Sequence, residues 1–176
     1  SIAQMAWDTV VIMGVAGCGK STVAEELSKR LQWTMLEGDR LHPIENIEKM
    51  KKGIPLNDSD RFPWLRSIRH EIGLHGSIIV SCSALKKSYR EILCEDRRCL
   101  FVFLDVSKEE LMNRLTTRSS HFFPSVLLDS QLSTLERPSN DETSLTITVS
   151  PSTSVTSVVD QIVENINTQF IHQKHR

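Results

Sequence analysis

No apolar stretch in the 176 residues approaches the ~20 that a membrane-spanning helix needs, and no secretory leader is visible. Charge of one sign is also missing. Against 21 Lys and Arg stand 22 Asp and Glu, so the bulk composition points to neither nucleic acid nor a membrane surface as partner. Short basic clusters such as "KKS" and "DRR" sit among acids and read as solvated surface. The four cysteines, Cys18, Cys82, Cys94 and Cys99, form no C-x-x-C pair, and no histidine cluster completes a zinc site. Cys18 lies in a glycine loop and Cys82 ends an apolar run, so both are expected to be reduced thiols in a soluble, cytoplasmic protein. There is neither an internal repeat nor a linker-like stretch, and the length suits one domain with a full core.

What the chain does have is alternation of short apolar runs with helix-period segments. "TVVIM" leads through a glycine loop into "STVAEELSKRLQ", where Val23, Leu27 and Leu31 share one helical face. "WTMLEGD" reads as a second strand, and "HPIENIEKMKKG" as a helix with proline near its start and Gly53 at its end. A further helix, roughly Arg61 to Leu74, follows the turn-rich "PLNDSD". "SIIVSCS", "CLFVFLDV" and "SLTITV" read as three more strands. Between them lie helices in "ALKKSYREILCE" and "SKEELMNRLTTR", the second with Ser107 as N-cap and Glu110 placed for a capping box. "SSHFFPSVLLDSQLSTLERP" is expected to be looser, and "TSVVDQIVENIN" to form the last helix, frayed from about Thr168. The pattern predicts an α/β three-layer sandwich, a five-stranded parallel sheet with helices on both faces.

"GVAGCGKS" fits G-x-x-x-x-G-K-[ST], with Gly14, Gly19, Lys20 and Ser21 in the fixed places. Glycines let successive backbone N–H groups turn inward onto phosphate oxygens at the start of the following helix. Lysine then reaches the outer phosphates, and the serine hydroxyl suits Mg²⁺. The match follows a strand and opens a helix, which is the context that separates a phosphate loop from a chance turn. Gly14, Val15, Ala16, Gly17, Cys18, Gly19, Lys20, Ser21 and Thr22 are thus the expected ATP loop.

A phosphate loop alone does not name a reaction. A base-reading N-K-x-D, as a GTPase switch needs, is absent, and the chain is too short for a motor. Distinctive polar chemistry gathers between residues 37 and 90, with Glu37, Asp39, His42, Lys49, Asp58, Asp60, Arg61 and Trp64 in its first part. Glu37 and Asp39 end the second strand, and ligands of open α/β sheets bind beyond the carboxyl ends of strands. The phrases "GDRLHP", "NIEKM", "GIPLNDSDRFPWL", "CSALKKSYRE", "HFF" and "SQLSTLE" resemble the thermoresistant gluconokinase family, relatives of shikimate and adenylate kinases, over about residues 9 to 167.

The resemblance implies ATP-dependent phosphorylation of D-gluconate at its 6-hydroxyl, with Mg²⁺, in one P-loop kinase domain over 1–176. The substrate segment falls at about 37–75 and a lid at about 114–132. Asp39 is the expected orienting group and base, with the "NDSD" carboxylates as alternatives, and Glu37 with Ser21 would serve the metal. His42, Lys49, Asp60, Arg61 and Ser83 are candidates for the substrate, a small polyol carboxylate that needs acceptors for hydroxyls and cations for its carboxylate. Lys86 and Arg90 lie four apart and suit either an anionic ligand or a solvated face. Trp64 is core or pocket wall. Arg114 and Arg118 are expected lid arginines, one of which can equally cap its helix, while His121 and Gln131 match lid positions of the family. Cys18 for a frequent serine, no glycine before His121, and Leu132 for an aromatic depart from the commonest family pattern and bear on lid motion. A homodimer is suggested by the resemblance only. The alternatives are a sibling kinase for another small hydroxylated acid such as shikimate, or a regulatory nucleotide binder. "CSA" in place of a glycine triplet speaks against the first, and the presence of Lys20, Ser21 and Asp39 against the second.

Overall fold

The computed structural model describes residues 6–117 and 124–174, with side-chain surroundings to residue 168. Five strands, β1 (Thr9–Met13), β2 (Thr34–Glu37), β3 (Ile78–Ser81), β4 (Cys99–Val106) and β5 (Ser144–Val149), pair in parallel in the order β2-β3-β1-β4-β5. β1 and β3 are buried along their whole length, which is why they read as unbroken apolar runs rather than alternating ones. Seven helices intervene: α1 (Lys20–Leu31), α2 (Ile44–Lys51), α3 (Asp58–Gly73), α4 (Lys87–Leu93), α5 (Lys108–Thr117), α6 (Ser125–Thr134) and α7 (Val155–Lys174), with a 3₁₀ turn at Gly38–Leu41.

The connections from β1 and β3 set off in opposite directions across the sheet. Right-handed crossovers therefore put α1 and α4 on opposite faces. α1 packs on β1, β2 and β3 and beside α7, whereas α3 and α4 pack together. The connections leaving the carboxyl ends of the paired strands β1 and β3 consequently diverge to opposite faces, and a crevice opens between them. Beneath it lies a core of Val11, Ile12, Leu27, Leu65, Ile79 and Val80, all fully buried, each contributing about 1.5–3 kcal/mol by leaving water.

Several boundaries differ from those expected. α3 begins at Asp58 rather than near Arg61, because Asn57 Oδ1 accepts from the Asp60 amide (2.8 Å) and Asp60 Oδ2 from the Asn57 amide (3.0 Å), a full capping box. At α5 only half of the expected box forms. Ser107 Oγ accepts from the Glu110 amide (3.2 Å), but the Glu110 carboxylate accepts from Arg114 instead (3.1 Å). The segment expected to be loose holds α6, entered through Pro124 and anchored by the buried Leu127 and Leu128. α7 continues past the expected fraying point to Lys174.

Cys18 and Cys82 are free and buried, as expected. The reduced state does not extend to the other two, since a disulfide joins Cys94 to Cys99. α4 ends at Leu93 and β4 starts at Cys99, so one short turn brings the two Cα atoms to 5.9 Å.

Candidate active site

The loop between β1 and α1 curls as the sequence requires. Gly14, Gly17 and Gly19 hold φ values of 146°, 84° and 97°, and Gly19 is the N-cap of α1 with no side chain supplying a cap. The open amides at that helix start suit an anion. Lys20 folds back to donate from Nζ to the Val15 carbonyl (3.1 Å). Ser21 Oγ donates to Glu37 Oε2 (2.5 Å) and lies 3.5 Å from Ser81 Oγ, an all-oxygen cluster at the ends of β2 and β3. Among the described residues no group of three or more His, Cys, Asp or Glu side chains forms a metal cage.

Beside this loop opens a cleft of about 170 Å³, with Lys20, Asp39, His42, Arg61, Trp64 and Ser83 on its walls. Asp39 reaches it because the 3₁₀ turn leaves β2 at Gly38, where a side chain would strike the Ser81 carbonyl at 2.6 Å. Its carboxylate is exposed, whereas the His42 ring is almost wholly covered, stacked on Trp64 with centroids 4.1 Å apart. Trp64 is therefore both wall and core. Its Nε1 donates to the Gly38 carbonyl (2.8 Å) and ties α3 to the acidic turn. Burial first, and then the Arg61 charge, push the His42 pKa down to about 4, so the ring is neutral near pH 7. Ser83 enters through its backbone as well, its carbonyl accepting from the Gly14 amide (3.3 Å).

Arg61 is the cation the cleft holds beside Asp39. It is buried, donates from Nη1 to Tyr89 Oη (3.4 Å) and lies over the Tyr89 ring. The neighbouring carboxylates are committed elsewhere. Asp60 accepts from Lys49 (2.9 Å), and Asp58 accepts from Lys86 (3.0 Å) and from Tyr89 Oη. Those same bonds remove Lys49, Asp60 and Lys86 from the cleft wall and make them braces of the α2–α3–α4 corner. Lys86 is the N-cap of α4 rather than part of its face.

Arg90 does not meet the substrate expectation. It is fully buried, with Nε and Nη2 donating to Glu142 (2.6 and 3.1 Å), Nη1 to the Ala84 carbonyl (2.8 Å) and Nη2 to the Glu136 carbonyl (3.0 Å). The four-residue spacing aligned it with Lys86 only if the helix began earlier than it does. Arg118 and His121 lie outside the described residues. Arg114 donates from Nη1 to the Gly17 carbonyl (3.2 Å) of the phosphate loop.

Two features of the site are not read from the sequence. The segment expected to be a loose lid is a helix, α6, which closes the outer wall of the cleft, and Gln131, matched to a lid position, accepts at Oε1 from the Ala16 amide (2.7 Å). A second, mostly apolar slot of about 320 Å³ lies on the other side of the loop, lined by Thr22, Leu104, Arg114, Val149, Thr153 and Val155 among others. Its far wall is the turn after β5, and the carboxyl-end rule applied to "TVSPSTSV" would have pointed to it.

The shikimate kinase family model matches residues 16–167. The gluconokinase of Gluconobacter oxydans is 49% identical over 138 residues, covering 76% of this chain and 78% of that protein. The thermoresistant gluconokinase of Escherichia coli is 42% identical over 142 residues, covering 78% and 81%. Among solved structures, a gluconokinase from Sinorhizobium meliloti superposes with a TM-score of 0.85 at 37% identity, covering 97% of this chain and 98% of that one. Shikimate kinase from Acinetobacter baumannii, at 16% identity and a TM-score of 0.61, shares the fold alone. With more than two thirds of its length aligned to such relatives and the phosphate loop facing an Asp–Arg cleft, the chain belongs to the gluconokinase family, within the wider shikimate-kinase group of P-loop kinases.

Proposed function

We propose that the chain transfers the γ-phosphoryl group of ATP to the 6-hydroxyl of D-gluconate, giving 6-phospho-D-gluconate and ADP. The observation that carries this is one cleft whose walls hold a carboxylate, a buried arginine and the phosphate-loop lysine together. Gluconate has a carboxylate at one end and its reacting hydroxyl at the other. Arg61 would take the first by charge-assisted hydrogen bonds, leaving the chain of hydroxyls to run toward Asp39 and Lys20. Asp39 would orient the attacking hydroxyl and accept its proton, and Lys20 would swing from Val15 to the transferring group. The base of ATP fits the apolar slot between Thr22 and Val155, with Arg114 at its border. Positioning and charge carry most of a phosphoryl transfer, and these residues supply both.

The oxygens of Ser21, Glu37 and Ser81 suit a hard divalent cation, Ser21 directly and Glu37 through water. Magnesium bound there would neutralise charge on the β- and γ-phosphates. The remaining steps belong to the chain: amides of the loop hold phosphate oxygens, and α6 shields the cleft from water. Family resemblance further carries a cytoplasmic, pentose-phosphate role and a homodimer, which sedimentation would test.

The deciding experiment is a coupled ADP-release assay with MgATP and gluconate, shikimate, other sugar acids and nucleoside monophosphates. Turnover confined to gluconate is the expected result. Equal turnover with shikimate, or tight ATP binding with no acceptor used, would overturn the reading.

A further inference from the structure

Asn46 carries no charge and is almost fully buried between α2 and α3. Its Nδ2 donates to the Asp60 carbonyl (2.9 Å) and lies 3.1 Å from His42 Nδ1. A backbone carbonyl can only accept, so the atom facing it must be the amide nitrogen and not the oxygen. That nitrogen has only protons to offer, so His42 Nδ1 must present its lone pair. The ring proton then sits on Nε2. We propose that Asn46 is a positioning residue that, with the Trp64 stack, holds His42 as a neutral Nε2–H donor for the acceptor hydroxyl at Asp39.

The geometry suits that use. Nε2 lies 4.0 Å from Asp39 Oδ1, too far for a good direct bond. A hydroxyl oxygen about 2.8 Å from both atoms subtends roughly 90° between them, an angle an sp³ oxygen accommodates. One substrate hydroxyl can therefore accept from His42 and donate to Asp39 at once, which aims its remaining lone pair. Stacking on Trp64 fixes the ring plane, and the Trp64 bond to Gly38 fixes the residue next to Asp39. The charged groups around the ring are Asp39 on its own turn, Arg61 and Asp60 from α3, Lys49 from α2 through Asp60, and Lys20 across the cleft. An imidazolium here would pair with Asp39 and take away its capacity to accept the proton. What the donor meets rests on the gluconate reading, whereas the tautomer does not.

Nitrogen-15 NMR of the full-length wild-type protein, without ligand, tests the tautomer directly. The expected spectrum shows a protonated Nε2 and an unprotonated Nδ1 for His42, unchanged from about pH 5.5 to 8. An Nδ1–H tautomer, or titration near the ordinary histidine pKa, would overturn the proposal whether or not gluconate is the substrate. Kinetics then tests the role. His42→Gln, which keeps an N–H donor, should stay within about tenfold of wild-type kcat, while His42→Phe, which keeps only the stack, should lose about 100-fold. Asn46→Asp should draw a second proton onto the ring and give a kcat that falls as pH drops through a new ionisation near neutrality, absent from wild type. His42→Phe at wild-type kcat would overturn the positioning role, as would an Asn46→Asp profile that overlays the wild-type one.

Discussion

Gln131 on α6 holds the Ala16 amide of the phosphate loop at 2.7 Å, so a side chain 115 residues away covers a donor on the loop proposed to receive ATP. Replacing it by Glu would keep the acceptor, strengthen the bond by charge and set a negative group against incoming phosphate. Gln131→Glu should therefore weaken MgATP binding about tenfold, with little change in thermal stability. Isothermal titration of MgATP checks this, and an unchanged Kd would show that Gln131 stays clear of the phosphates.

Arg61 should govern substrate affinity more than turnover. A hydrogen bond to a charged group contributes about 1.5–3 kcal/mol, so Arg61→Met should raise KM for gluconate by roughly 10–150-fold. The same change should leave KM for ATP near its wild-type value, because Arg61 lines the cleft with Asp39 and not the slot at Thr22 and Val155. Equal rises in both KM values would point to a general distortion of the site, and an unchanged gluconate KM would move the carboxylate to another cation.

Arg90 tests the opposite assignment. Its guanidinium joins α4 to the Glu136–Glu142 segment and to the Ala84 carbonyl, with Arg90 buried and Glu142 partly buried. Arg90→Met takes a charged donor from Glu142 and from two carbonyls at once, a loss of about 1.5–3 kcal/mol. Chemical denaturation should show that drop while the folded fraction keeps its gluconate KM. A raised KM with full stability would return Arg90 to the substrate site.

The difference between Arg61 and Arg90 shows what a single sequence can and cannot disclose. The phosphate loop's shape is local, and its curl at Gly14, Gly17 and Gly19 was legible from contiguous residues. So were the central strands β1 and β3, whose burial on both faces leaves unbroken apolar runs, whereas β2 and β5 are only partly buried. Which arginine faces a cleft depends on partners far along the chain, and Glu142 lies 52 residues from Arg90. Spacing within a helix names a face but not its neighbour. α6 was missed because Val126, Leu127 and Leu128 are consecutive and give no helical stripe, and its helix is fixed by what it packs on. The Cys94–Cys99 bridge follows from where a turn ends, which no cysteine-spacing rule encodes. Asn46 was legible only as the first residue of "NIEKM", a phrase of the family resemblance, because its role rests on one carbonyl from α3.

Burial of neutral His42 also couples the fold to pH. The folded pKa is near 4, below the ordinary 6.5, so the unfolded chain binds more protons between those values and stability rises with pH there. The contribution is complete above about pH 7 and is lost as pH falls through 6.5 toward 4. Linkage gives a loss of about 2 kcal/mol at pH 5 relative to pH 7.5 from this group alone. His42→Gln cannot ionise and should flatten that part of the profile while keeping a donor in the cleft. Urea denaturation of both proteins at several pH values between 4.5 and 7.5 measures it. A wild-type curve no steeper than that of His42→Gln would mean that the ring takes up its proton in the folded state as readily as in water, and that the Trp64 stack and the Asn46 bond do not keep it neutral.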